Sequence, residues 1–133
     1  MVDLVITAAS VKSQGGTVEH GVAGATITAG KLLAVAADSR YVLADSNGAA
    51  PINMPRGIAL HGSSADQPIA VHRSGPIALG TTLVAGAPYY MSETPGGIQP
   101  IADLQTGETI AQIGLATSTT TLDFRVTAPG VVA

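Results

Sequence analysis

Cysteine is absent from the 133 residues, which excludes disulfide staples, thiolate zinc sites and cysteine nucleophiles and leaves the redox compartment open. Tryptophan is absent too, and the only aromatic side chains are Tyr41, Tyr89, Tyr90 and Phe124. A core with so few rings is built from Ala, Val, Ile and Leu, which bury less area each, so a lone subunit has limited stability to spare. Charge is scarce: Asp, Glu, Lys and Arg make up 11% of the chain, against about 25% in an ordinary soluble domain. Six basic against nine acidic residues leave a net charge of −3, which provides no footprint for gripping phosphates and argues against nucleic acid as a partner. No apolar run reaches the about 18 residues of a membrane helix, and the composition is the reverse of the charged, polar one that leaves a chain disordered. The first residues, Met1-Val2-Asp3-Leu4-Val5-Ile6-Thr7, carry an acid where a signal peptide has bases, and the apolar stretch is short. We therefore expect an unprocessed chain that is not exported.

What is present is small, branched and punctuated. Hydrophobic residues make up 46% of the chain, with 16 Gly and 8 Pro interrupting them. At this length one domain with one core is expected. The apolar segments are short and rich in Val, Ile and Thr, which predicts an all-β fold. The expected strands are Asp3 to Thr7, Thr17 to His20, Lys31 to Val35, Tyr41 to Ala44, Gly57 to Leu60, Ile69 to His72, Tyr89 to Met91, Thr109 to Ile113 and Thr121 to Thr127. Between them lie turn signals such as Ser46-Asn47-Gly48, Thr94-Pro95-Gly96-Gly97 and Gln105-Thr106-Gly107-Glu108, a spacing that suits a barrel or sandwich. Alternation along Thr121 to Val126 places Leu122, Phe124 and Val126 on a buried face and Asp123 and Arg125 on the other. Lys31 to Ala37 also fits a helical turn, and a short helical turn is expected at Ala49 to Asn53, ahead of Met54-Pro55. The segment Gly75-Pro76-Ile77-Ala78-Leu79-Gly80 reads as a place where the chain turns and re-enters a sheet.

The chemistry-bearing residues do not assemble into a motif. His20, His61, His72 and Asp66 together with several serines make a Ser-His-Asp arrangement or a His-rich metal site formally possible. No G-x-S-x-G pentapeptide occurs, and no two histidines stand four apart, so neither catalytic nor metal-binding residues are expected. Gly15-Gly16 and Gly21-Val22-Ala23-Gly24 lack the Lys-Ser/Thr pair or following helix of a nucleotide-binding loop and read as turns, so no cofactor is expected. Lys12, Lys31, Arg40, Arg56, Arg73 and Arg125 are scattered singly, without the interleaved aromatics of a single-strand-binding platform.

Contact residues are sought in the apolar positions left over. Adjacent residues on a strand face opposite ways, so one of Tyr89 and Tyr90 is expected in the core and the other outside, where it suits an interface. Residues 1–16 contain Leu4 and Ile6 followed by a polar, glycine-ended stretch, and read either as a first strand of the barrel or as an arm that adds a strand to a neighbour; the arm is favoured. Residues 17–127 form the barrel domain and 128–133 a tail whose Val131 and Val132 are docking candidates. A charge-poor surface lacks the repulsion that keeps monomers apart, which points to a homo-oligomer or to a protein that lies against another surface.

The order of segments carries more information than any single residue. Gly24 to Gly30 before a strand, Tyr41 to Asp45, Gly57-Ile58-Ala59-Leu60, Gln67-Pro68-Ile69-Ala70-Val71 followed by Gly75, Tyr89-Tyr90-Met91-Ser92, Gly96-Gly97-Ile98-Gln99-Pro100 and Ile113 to Ser118 form an ordered set. It resembles the capsid cement, or head decoration, proteins of tailed bacteriophages over roughly residues 15–127. Where that family often has Gly before Gln67, this chain has Asp66, a residue that also tolerates tight turns. The resemblance implies a small single-domain β-barrel, β-tulip-like, with short turns, at most one short helix and an extended N-terminal arm. It further implies a non-enzymatic structural protein on the outer surface of the virion capsid, made in the host cytoplasm. Its implied partners are the major capsid protein and itself, as a homotrimer or a dimer, with neither nucleic acid nor membrane. The alternative is a virion-surface module that recognises a host glycan or protein, for which an exposed Tyr near Arg73 or Arg40 is the feature to look for.

Overall fold

The computed structural model describes residues 4, 6–46, 51–92, 94–100 and 110–127. A 3-10 turn at Ala8–Ser10 leads into β1 (Val11–Ser13) and β2 (Thr17–Val22). These are followed by β3 (Leu32–Val35), β4 (Tyr41–Leu43), β5 (Gly57–Ala59) and the long β6 (Pro68–Leu79). The chain finishes with β7 (Pro88–Met91), β8 (Ile98–Pro100), β9 (Gln112–Ala116) and β10 (Thr121–Thr127). The fold is all-β: a curled antiparallel sheet forms a half-barrel, in the order β4-β3-β5-β6-β10-β9-β7-β8, with β1 and β2 also paired to β6.

β6 is the spine. Its first half pairs with β2 and β5, through Glu19↔Val71 on one side and Ala59↔Val71 on the other. Its second half pairs with β1 and β10, through Lys12↔Ala78 and Thr121↔Ala78. Two core clusters follow from this division. Ala23, Ile27, Leu33, Tyr41, Ala59, Ile69 and Val71 fill the space bounded by β2 to β5 and the start of β6. The larger cluster, with Ile77, Leu79, Met91, Ile98, Ile113, Leu122 and Phe124 fully buried, lies under β7 to β10. An isolated parallel bridge between Ala23 and Tyr41 draws the end of β2 against β4 and closes the smaller half upon itself.

The turn expected at Gly75 to Gly80 is instead strand, and the reason is a close approach. Gly75 has φ of 94° and Gly16 φ of 78°. A Cβ on Gly75 would lie 2.8 Å from the Gly16 Cα, and one on Gly16 only 1.9 Å from the Ser74 carbonyl oxygen. Two residues without side chains let β6 bend past the β1–β2 connection without ending, so one strand serves both halves.

Other boundaries moved for similar reasons. Lys31 to Ala37 resolves into β3 and a tight turn closed by Ala36 N–H to the Arg40 carbonyl at 2.9 Å. The part of Ala49 to Asn53 that lies within the described residues is a single turn, closed by Met54 N–H to the Pro51 carbonyl at 3.0 Å. The Thr94 to Gly97 turn forms as expected, with Gly97 N–H donating to the Thr94 carbonyl at 2.8 Å. Gly15-Gly16 bends, but Gly21-Val22, expected as turn, belongs to β2. β8 has no counterpart among the expected strands, and β9 begins three residues later than Thr109, which itself lies outside the described residues. Alternation in β10 holds: Leu122 and Phe124 are buried and Val126 packs against them, while Arg125 is exposed.

The described part of residues 1–16 lies against the chain's own sheet. Leu4 donates its N–H to the Ile98 carbonyl at 2.8 Å and Thr7 donates to the Gly80 carbonyl at 3.0 Å. Leu4 and Ile6 pack against the larger cluster, and β1 sits further along, at Val11–Ser13, rather than at Asp3 to Thr7. Leu4 thus meets the β8 edge and Thr7 the end of β6, both within the chain's own sheet, where a backbone-rich edge favours a partner over solvent.

Candidate functional site

The Ser-His-Asp possibility separates into two unrelated pairs. Ser13 Oγ lies 2.9 Å from His72 Nδ1, and His72 Nε2 lies 2.8 Å from the Gly75 carbonyl oxygen. A carbonyl only accepts, so Nε2 carries a proton and donates it there, while Nδ1 shares a hydrogen bond with the Ser13 hydroxyl. The imidazole is fully buried and stands edge-on to Phe124 at 6.1 Å between ring centroids. This pair ties β1 to the bend of β6. Asp66 is elsewhere, paired with Arg40 on the surface, in a turn where it holds φ of 68°. Its backbone is left-handed, and Asp is among the few side chains that tolerate it. His61 uses both ring nitrogens locally: Nδ1 donates to the Gly62 carbonyl at 2.8 Å and Nε2 accepts from Ala70 N–H at 2.9 Å.

Cations that are solitary in sequence meet on the surface of the smaller half. Glu19 on β2 accepts from Arg56 Nε at 3.0 Å and Nη2 at 3.4 Å, and its Oε1 lies 3.8 Å from Arg73 Nε on β6. The Tyr41 hydroxyl also donates to Glu19. Arg73 Nη1 in turn donates to the Arg56 carbonyl at 3.0 Å. Burial pushes the Glu19 carboxyl up, but the hydrogen bonds from Arg56 and Tyr41 and the charges of Arg56 and Arg73 outweigh it and hold the group below its ordinary value. Burial and the neighbouring carboxylate both push the Tyr41 phenol up, to about 12. The cluster joins β2, β4, β6 and the approach to β5, residues far apart in the chain, so sequence inspection offered no signal for it beyond a β-rich background.

The expected contact residues fall into three groups. Leu4 and Ile6 are half-buried against the chain's own core. Tyr89 and Tyr90 are both buried, at 3% and 9% exposure, which corrects the expectation that one ring lies outside. A register shift between Tyr89 and Tyr90 in the β7–β9 ladder interrupts strict alternation. Tyr89 accepts a hydrogen bond from Val84 N–H at 3.0 Å, and the Tyr90 hydroxyl lies 3.5 Å from Gln112 Oε1. Val131 and Val132 lie outside the described residues. The exposed apolar side chains are instead Val18 and Val22 on β2, Met54, Val84 and Leu115, none of which sequence periodicity distinguished from core positions.

No protein-family model matches the chain, and no curated protein matches it significantly.

Proposed function

We propose that this chain is a structural capsid decoration protein, which binds the outer surface of an expanded phage head and clamps neighbouring major capsid protein subunits against the pressure of packaged DNA. The observation that carries the reading is the placement of the ordered segments. Gly24 to Gly30 is the loop before β3, while Tyr41 to Asp45, Gly57 to Leu60, Gln67 to Val71, Tyr89 to Ser92, Gly96 to Pro100 and Ile113 to Ser118 each overlap a successive strand of one sheet. The segments that carry the resemblance thus coincide with the framework of the sheet, which supports the reading.

The physical task suits such a scaffold. A clamp that engages several subunits at once gains by multivalency, so modest contacts at exposed apolar positions such as Val84 and Leu115 suffice. The glycan-binding alternative has no specific observation in its favour, because all four aromatic rings are buried. The test is cosedimentation with expanded empty heads, followed by heating of heads with and without the protein. Pelleting at a fixed ratio with a raised disruption temperature is expected. A protein that stays in the supernatant, or heads that are no more heat-resistant with it, would rule the reading out.

A further inference from the structure

The sheet has a gap where its two halves part. On one edge of β6, pairing with β5 ends at Ile58↔His72 and pairing with β10 begins at Phe124↔Gly75, so Arg73 and Ser74 have no ladder partner there. On β10 the β6 ladder ends at Phe124 and the β9 ladder bulges between Phe124 and Thr127, so neither partners Arg125 or Val126. A groove of about 570 Å³ opens at this place, lined by Met54, Pro55, Arg73, Ser74, Arg125 and Val126.

We infer that this groove docks an extended protein segment carrying a carboxylate next to an apolar side chain. Three features select that occupant. The first is backbone: two strand segments without ladder partners face an opening where a guest strand can add main-chain hydrogen bonds. The second is apolar surface, since Met54 is 57% exposed beside Val126. The third is charge. The six lining residues include two guanidinium groups and no acid, in a chain of net charge −3. Arg73 is held in place by the Arg56 carbonyl and shares Glu19 with Arg56, so one carboxylate serves two cations on that wall. Arg125 makes no ion pair among the described residues, and Asp123, two positions back, lines the adjoining groove with it. Counting Arg56, Arg73 and Arg125 against Glu19 and Asp123 leaves an excess positive charge that a carboxylate matches, in bidentate form at a guanidinium. A nucleic-acid strand fits less well, because no exposed aromatic ring is present to stack its bases. The inference does not rest on the capsid reading, and it stands or falls separately from it.

The experiment is titration of isotope-labelled protein, followed by NMR, with blocked pentapeptides centred on Leu-Asp-Leu, Leu-Asn-Leu and Leu-Lys-Leu, and with a short oligothymidylate. The Asp peptide is expected to bind saturably at millimolar concentration, with shifts confined to Met54, Ser74, Arg125, Val126 and their neighbours. The Asn peptide binds about tenfold more weakly, as loss of a charge-assisted hydrogen bond requires. In the Arg125→Gln variant the Asp peptide falls to the level of the Asn peptide, and Met54→Ser weakens both. Each variant changes an exposed side chain and is checked for an unchanged spectrum elsewhere. Absence of shifts at these residues, equal binding of the Asp and Lys peptides, or preferential binding of the oligothymidylate overturns the inference.

Discussion

At the scale of the residue, two positions are informative because their surroundings assign them opposite kinds of constraint. Glu19 is constrained electrically. Its carboxyl is held below the ordinary value of 4.5, so its ionised form contributes stability that is present in full above that value and is lost as pH falls through the lower folded-state value. Glu19→Gln is expected to cost about 1 kcal/mol at neutral pH, since the pair is partly exposed and screened. Thermal unfolding of both proteins between neutral pH and pH 3 checks this: the difference should shrink as acid protonates Glu19, and a difference independent of pH would contradict the assignment. Gly75 is constrained sterically. With φ of 94° and the Gly16 backbone 2.8 Å from where a Cβ would stand, Gly75→Ala should destabilise by about 2 kcal/mol or more. Chemical denaturation measures it, and a loss within experimental error would mean that the bend has room the geometry denies.

At the scale of the element, β6 and the N-terminal segment have different jobs. β6 carries pairing on both edges, with β2 and β5 before the bend and β1 and β10 after it, interrupted at Arg73 and Ser74 on the β5–β10 edge. Leu4 covers part of the β8 edge instead, through its bond to Ile98, and Thr7 is anchored to Gly80 just past β6. Deleting residues 1–7 removes those donors and the Leu4 and Ile6 contacts while leaving β1 in place. An uncovered β8 edge is a template for pairing with another chain, so the shortened protein should show a concentration-dependent rise in mass by light scattering relative to the full chain. Identical masses across the concentration range would show that this edge needs no cover.

At the scale of the whole molecule, two core clusters share a single strand, and that sharing sets the cooperativity. Ile69 and Val71 belong to the smaller cluster and Ile77 and Leu79 to the larger, all on β6. Neither half keeps its spine if the other loses it, so unfolding is expected as one transition with equal calorimetric and van't Hoff enthalpies. Substitutions in the two halves, Val71→Ala and Leu122→Ala, should each lower that one transition, by about 1–2 and 2–5 kcal/mol respectively. Two resolved transitions, one moved by each variant, would show that the halves are independent.

Much of the architecture was legible before any coordinates. Period-two alternation located β10 residue for residue, and Thr94-Pro95-Gly96-Gly97 announced its turn, because both signals depend only on neighbours in the chain. The all-β class followed from branched residues between glycines and prolines for the same reason. What local pattern did not contain is which strand lies against which. The continuation of β6 through Gly75 depends on Gly16 from the connection before β2, some sixty residues earlier, and the burial of both Tyr89 and Tyr90 on a bulge opposite β9. The Glu19, Arg56 and Arg73 cluster and the groove beside Arg125 exist only once β2, β5, β6 and β10 are brought together. Sequence by itself determined the elements, through short-range sterics and side-chain alternation; tertiary structure decided the edges, the bend and the charged surface, because those arise from contacts between residues that only packing makes neighbours.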